Sequence, residues 1–279
     1  MLGAGTMGHG IAQVAAASCE SVTLFDVSPE QVTSGLGKIR VNLAKGVELG
    51  KVDPAVQATV LDALRGASSL DDAVSGADLI IEAVPEVVAI KSQLFKDIAE
   101  FVGDDTVLAT NTSSLSVTEL GRFTPDPGRF IGLHFFNPVH IMALVEVVRS
   151  RATSDSTLDR SLAFVLQIGK QPIVVEDSPG FASSRLGIAL GLEAIRMVEA
   201  GVASASDIDK AMVLGYRHPM GPLRLTDLVG LDVRLGIAEY LHETLGSETF
   251  RPPTLLRQLV EEGKLGKKSG QGFYDWSDA

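Results

Sequence analysis

The chain is predicted to be an α/β protein, a doubly wound sheet over residues 1–178 followed by an all-α C-terminal domain over residues 179–279. Helical and strand patterns alternate as far as residue 176, as they do in a sheet with helices on both faces. A glycine-rich turn at the start runs straight into an Ala-rich helical stretch. Beyond Asp177-Ser178-Pro179-Gly180 the strand patterns stop. Residues 181–262 carry long amphipathic helical patterns, broken at Gly201, Pro219 to Pro222 and Pro252-Pro253. The length suits two domains, with the boundary near 178.

Gly3, Gly5 and Gly8 form G-x-G-x-x-G at the head of the first helix, and residues 22–26 read as the next strand, ending on Asp26. The glycines permit a tight turn and close approach of the backbone to a pyrophosphate. The helix N-terminus faces the phosphates, and an acid about twenty residues on accepts the ribose hydroxyls. A glycine turn with Asp26 as a mere helix cap is the alternative, but helix, strand and acid in this order favour a Rossmann-type dinucleotide site. Only Met1 and Leu2 precede the glycines, whereas the first strand of such a fold is central and about five residues long. Either apolar residues precede Met1 or the sheet runs with a stub.

Residues 29–49 and 54–66 read as two helices separated at Asp53-Pro54. Residues 78–84 read as a buried strand ending before Pro85, 87–101 as a helix, and 106–110 as a strand closing on Asn111-Thr112-Ser113-Ser114. Phe130 to Phe136 and Ala143 to Arg149 read as two strands around the turn signal Asn137-Pro138. A helix near 155–169 and a strand at 172–176 complete the alternation.

If the two strands fold back around residue 140, His134 lies directly opposite Glu146. Cross-strand Cβ atoms are about 4.5–5.5 Å apart, so imidazole and carboxylate would meet. A carboxylate there fixes the ring tautomer and stabilises the protonated form, as a general base requires. Taken alone, the pattern fits equally a core histidine beside an unrelated surface glutamate. However, Asp26, Glu86, Asn111, Ser113 and His134 all fall at or just after strand ends, where ligands of doubly wound sheets bind.

Apolar residues make up 45% of the chain and charged ones 21%, an ordinary globular balance. A net charge of −11 leaves no basic footprint and argues against nucleic-acid binding, though a local lysine cluster could still meet a polyanionic ligand. The single Cys19 excludes a disulfide framework and a cysteine-rich metal site, and no metal is expected. With no signal peptide and no apolar run of transmembrane length, no membrane partner is expected and the protein is assigned to the cytoplasm.

The chain resembles the L-3-hydroxyacyl-CoA dehydrogenase family, in particular its short-chain bacterial 3-hydroxybutyryl-CoA branch. The resemblance spans essentially the whole chain. It rests on GAGTMGHGIA at 3–12, IEAVPE at 81–86, NTSSL at 111–115, GLHFFNPV at 132–139, LVEVV at 144–148, DSPGF at 177–181, HPMGPLRLTDLVGLD at 218–232 and LGKKSGQGFYDW at 265–276. It implies an NAD-dependent dehydrogenase that oxidises the 3-hydroxyl of a short acyl-CoA, or runs in reverse. By that resemblance His134 is the general base and Glu146 its partner, while Ser113 bonds the substrate's 3-oxygen. The glycine loop (Gly3, Ala4, Gly5, Thr6, Met7, Gly8), Asp26, Glu86, Lys91, Ser113, Asn137 and Lys268 would surround NAD. Lys38, Lys45 and Lys51 are candidates for the coenzyme A phosphates, against the ordinary alternative of solvated helix lysines.

Ser184 stands where the family usually has an active-site asparagine, which touches substrate preference more than the reaction. Val87 replaces a common asparagine, and His140 a usual proline, read as turn surface. The apolar positions of 181–262 are too many for one free-standing layer and predict a two-fold homodimer. A cofactor-binding protein without turnover would need an emptied site or an added DNA-binding segment. A dehydrogenase of free hydroxy acids or sugar nucleotides would favour a catalytic lysine or cysteine in the second domain. The sequence offers neither.

Overall fold

The structure, a computed structural model, describes residues 1–277. The chain divides into two compact units, Met1–Ser178 and Pro179–Ala279. In the first unit the elements run α1 (Thr6–Ala16), β1 (Val22–Leu24), α2 (Pro29–Glu48), α3 (Pro54–Ala63), β2 (Leu64–Gly66), α4 (Leu70–Val74) and β3 (Leu79–Glu82). They continue with α5 (Val88–Asp97), β4 (Val107–Thr110), α6 (Val117–Gly121), β5 (Phe130–Phe135), β6 (Leu144–Arg149), α7 (Asp155–Gln167) and β7 (Gln171–Glu176).

Local sequence explains most boundaries. Ser28 caps α2, its hydroxyl accepting from the Gln31 N–H at 3.3 Å, and Pro29 occupies the first turn, where its missing N–H costs nothing. Val32, Gly35, Ile39 and Leu43 then recur at helical spacing and are the buried face of α2. β4 (VLAT) is buried at every position, as expected of a parallel strand covered on both faces. Leu108, Ile131, Val145 and Val147 are at most 1% exposed, and each such burial contributes about 1.5–3 kcal/mol.

β3, β4 and β5 are parallel, β6 runs antiparallel to β5, and β7 follows β6 in parallel. β1 and β2 form a separate parallel pair. Leu2 joins the two sheets through single bridges to Phe25 on one side and Glu82 on the other. Its N–H donates to the Ile81 carbonyl at 2.9 Å, and its own carbonyl accepts from the Ala83 N–H at 2.7 Å. One residue thus occupies the centre of the sheet. A cavity of about 570 Å³ lined by Met1, Ile11, Val22, Leu79 and Ile80 lies beside it.

The expected helix over 54–66 is corrected at its end. It stops at Ala63, and Leu64–Gly66 are strand β2, Leu64 pairing with Val22 and Gly66 with Leu24. The edge of β1 needs backbone partners, and that pairing overrides helical continuation. The short helices α4 and α6 were not foreseen, and the strand expected over 78–84 is shorter.

The second unit is helical: α8 (Ser183–Glu199), α9 (Ala205–Lys210), α10 (Pro222–Val229), α11 (Leu231–Leu245) and α12 (Thr254–Glu261). Two fully or nearly buried aspartates organise it. Asp209 accepts from the Leu223 and Arg224 N–H groups at 2.8 and 2.9 Å and from the Tyr274 hydroxyl at 2.6 Å. Asp227 accepts from the Phe273 and Tyr274 N–H groups and the Trp276 indole, each at 2.9 Å. These bonds account for much of the motif at 218–232 without any ligand.

Candidate active site

In the first unit, the antiparallel register of β5 and β6 sets His134 opposite Glu146. Their side chains bond at 2.7 Å between Nδ1 and Oε2, with His134 7% and Glu146 0% exposed. A carboxylate so close assigns the Nδ1 hydrogen to this bond and places the basic lone pair of the neutral ring on Nε2. Phe136 packs on the imidazole, with ring centroids 4.6 Å apart. Asn111, after β4, accepts the Phe135 N–H at 2.9 Å and so joins the ends of the two strands that bear Ser113 and His134.

The loop carrying Ser113 is held from beneath. Glu86 Oε1 accepts from the Thr112 hydroxyl at 2.5 Å and from the Ser113 and Ser114 N–H groups at 2.9 and 3.1 Å. Its other oxygen is 3.2 Å from Lys91 Nζ. Burial alone would raise the Glu86 carboxyl. The Lys91 ammonium and the Thr112 and Ser113 donors outweigh it, holding the group below its ordinary value. Lys91 is only 1% exposed. It donates to Glu82 Oε1 at 2.5 Å and to the Val84 carbonyl at 3.3 Å. Glu82, wholly buried, also accepts from the Thr110 hydroxyl at 2.6 Å. Lys91 therefore lies under Glu86 rather than on the surface.

The glycine loop has the strain a close backbone approach requires. Gly3 has φ +96°, and a Cβ there would stand 2.6 Å from the Ala83 carbonyl oxygen. A Cβ at Gly8 would collide with the Gly3 carbonyl, whereas one at Gly5 would meet nothing within 4 Å. Gly5 is the N-cap of α1, and no side chain caps that helix. Its first-turn N–H groups, of Thr6 and Met7 among them, are thus left to an anionic group. Asp26 follows β1. It accepts the Ala4 N–H at 2.8 Å and the Ser28 N–H at 3.2 Å, which fix the carboxylate beside the loop. These residues fit the pyrophosphate and ribose of a dinucleotide.

Asn137 is exposed after β5. Lys170 pins the segment that follows, donating to the Val139 and Met142 carbonyls at 2.6 and 2.8 Å. His140 is exposed in this turn, as expected of turn surface. Burial and the nearby Lys170 and His9 lower its imidazole. Lys38 and Lys45 lie on the solvent face of α2, two turns apart, and Lys51 is exposed just beyond it. In the second unit, Ser184 lies half-buried in the first turn of α8, and Lys268 pairs with Asp232 at 2.6 Å. Among the described residues no group of His, Cys, Asp and Glu could hold a metal, and no helix is long and apolar enough to cross a membrane.

Glu82, Thr110 and Lys170 were missed by sequence reasoning. A carboxylate inside the apolar run 79–84 was the available signal for Glu82, since a charge in a strand covered on both faces needs a buried partner.

Comparison with known proteins agrees with this geometry. Residues 1–178 match the model of the 3-hydroxyacyl-CoA dehydrogenase NAD binding domain, and residues 180–276 that of the 3-hydroxyacyl-CoA dehydrogenase C-terminal domain. A probable 3-hydroxybutyryl-CoA dehydrogenase of Bacillus subtilis is 45% identical over 276 residues, covering 99% of this chain and 96% of that protein. A 3-hydroxybutyryl-CoA dehydrogenase of Mycobacterium tuberculosis is 44% identical, covering 99% of this chain and 97% of its own. The crystal structure of an (S)-3-hydroxybutyryl-CoA dehydrogenase from Ralstonia eutropha superposes with a TM-score of 0.95 at 40% identity, over 99% of this chain and 98% of that one. With both domain models matched in order over nearly its whole length, the chain belongs to the 3-hydroxyacyl-CoA dehydrogenase family, with an NAD-binding domain as its first unit.

Proposed function

We propose that the protein interconverts a short-chain 3-hydroxyacyl-CoA, of the 3-hydroxybutyryl-CoA class, and its 3-keto form, with His134 as general base. The observation that carries this reading is the buried 2.7 Å contact of His134 with Glu146, on a sheet that also bears a dinucleotide-type glycine loop. NAD, when bound, supplies the hydride acceptor. Its site is assigned to the loop Gly3–Gly8 with Asp26, and to Glu86, Lys91, Asn137 and Lys268. His134 Nε2 takes the 3-hydroxyl proton, and Glu146 offsets the imidazolium charge that results. Ser113, held by Glu86, donates to the 3-oxygen. Lys38, Lys45 and Lys51 are assigned to the phosphates of coenzyme A. Ser184, shorter than the family's asparagine, holds the acyl group less firmly. The protein acts as a cytoplasmic homodimer built on its second unit.

The reading is tested by following NADH absorbance with acetoacetyl-CoA and with longer 3-ketoacyl-CoAs. Turnover highest on the four-carbon substrate is expected. Failure to oxidise NADH with any of them would refute the activity, and a preference for long chains would refute the substrate class.

A further inference from the structure

Arg234, in the first turn of α11, is 7% exposed, yet its Nε has no hydrogen-bond partner. Burial lowers its guanidinium to about 10, and no carboxylate opposes that shift. A charge withdrawn from water without acceptors is costly, and native interiors rarely leave one so. The guanidinium leans on α8. Its Nη1 is 3.5 Å from where a Cβ would stand at Gly187 and 3.9 Å from one at Gly191. These glycines are one helical turn apart, so α8 has a notch without side chains over the charge. Leu186 (71% exposed), Leu190 (36%), Leu225 (40%), Leu228 (41%) and Val233 (43%) present apolar surface on the same three helices α8, α10 and α11. Apolar exposure of this extent marks a surface that is covered in the working protein.

We infer that a second copy of this chain covers the face and that Arg234 is neutralised by Glu193 of the partner subunit. This rests on the homodimer reading and adds the contact that fixes its geometry. A two-fold interface brings the same patch together with itself, so the acceptor must come from this face. Glu193 is the only carboxylate at helical spacing with Leu186 and Leu190 on α8. In the single chain it holds only Arg196 at 3.1 Å, with its side chain 64% exposed, a surface pair of little weight. Two antiparallel copies of α8 crossing at Gly191 set Glu193 of the partner subunit opposite Ala189, between the two glycines. The absence of side chains at Gly187 and Gly191 lets the carboxylate reach the guanidinium. Closing the interface would then bury both charges as a pair.

The test is the dimer dissociation constant of the full-length protein, by sedimentation velocity over a dilution series, for wild type, Arg234→Met and Glu193→Arg. Glu193 is at the surface of the single chain, so Glu193→Arg keeps the fold even if Arg234→Met does not; far-UV circular dichroism checks both. A dimeric wild type with dissociation weakened about tenfold or more in Glu193→Arg, where two positive charges would meet, is the expected result. A dimeric wild type with a smaller change in Glu193→Arg overturns the pairing and leaves the homodimer standing. A wild type that is monomeric at micromolar concentration overturns both.

Discussion

Replacing Lys91 by Met tests the part of the site that lies out of sight. The ammonium is 2.5 Å from a Glu82 oxygen, 3.2 Å from a Glu86 oxygen and 3.3 Å from the Val84 carbonyl. Methionine keeps the volume of the stem and removes every one of these contacts. Glu82, wholly buried, would retain only the Thr110 hydroxyl and the Val84 N–H as donors. Removing one partner of a buried pair costs about 3–5 kcal/mol, most of it from the charge left behind. For a unit of this size each kcal/mol lowers Tm by about 2–4 °C, so a fall of roughly 6–20 °C is expected. The measurement is thermal unfolding by far-UV circular dichroism, because the single tryptophan, Trp276, belongs to the second unit. Adding Glu82→Gln should restore part of the loss, since the stranded charge is then gone. The acyl-CoA KM should also rise, because Glu86 would hold the Ser113 loop without its cation. A Tm within about 2 °C of wild type would refute the reasoning.

His134→Gln should keep the fold and NADH binding but lose about 10²–10⁴-fold in kcat; Glu146→Gln should lose less, and a His134 variant with near wild-type kcat would end the assignment. Asp26 should repel a 2′-phosphate, so kcat/KM should favour NAD over NADP, and equal values would contradict its role at the ribose. Because Glu86 is held below its ordinary value, its contribution is fully present above the usual glutamate range of about 4.3 and is lost as pH falls through the depressed value. The stability difference between wild type and Glu86→Gln should accordingly shrink on acidification below that range, and a difference independent of pH would show that the carboxylate does not carry it.

The catalytic pair was legible because hairpin register is arithmetic: two strands around residue 140 put 134 against 146 whatever the turn between them looks like. The glycine loop and Asp26 were legible because their spacing is local. What lies beneath was not. Lys91 in sequence is one lysine on a helix, and only the packing of α5 over β3 makes it the cation of Glu82 and Glu86. β2 is three residues long, too short for any periodicity to show, and only the pairing edge of β1 defines it. Asp209 and Asp227 reach partners 14 and 46 residues away, a separation no window along the sequence spans.

The single-residue join at Leu2 gives the first unit a seam. Parallel sheets are ordinarily bonded throughout and covered on both faces, yet here β1 and β3 face each other across the cavity except where Leu2 and its neighbours link them. Amides of Val22, Leu79 and Ile80 should therefore exchange with deuterium sooner than those of β4 and β5. The β1–β2 segment with α1, α2 and α3 can open as one cooperative piece while the strands bearing His134 and Glu146 stay closed. A dinucleotide seated on the glycine loop would bridge that seam, so its binding energy would appear as protection spread over the whole opening piece, reaching well past the residues it touches.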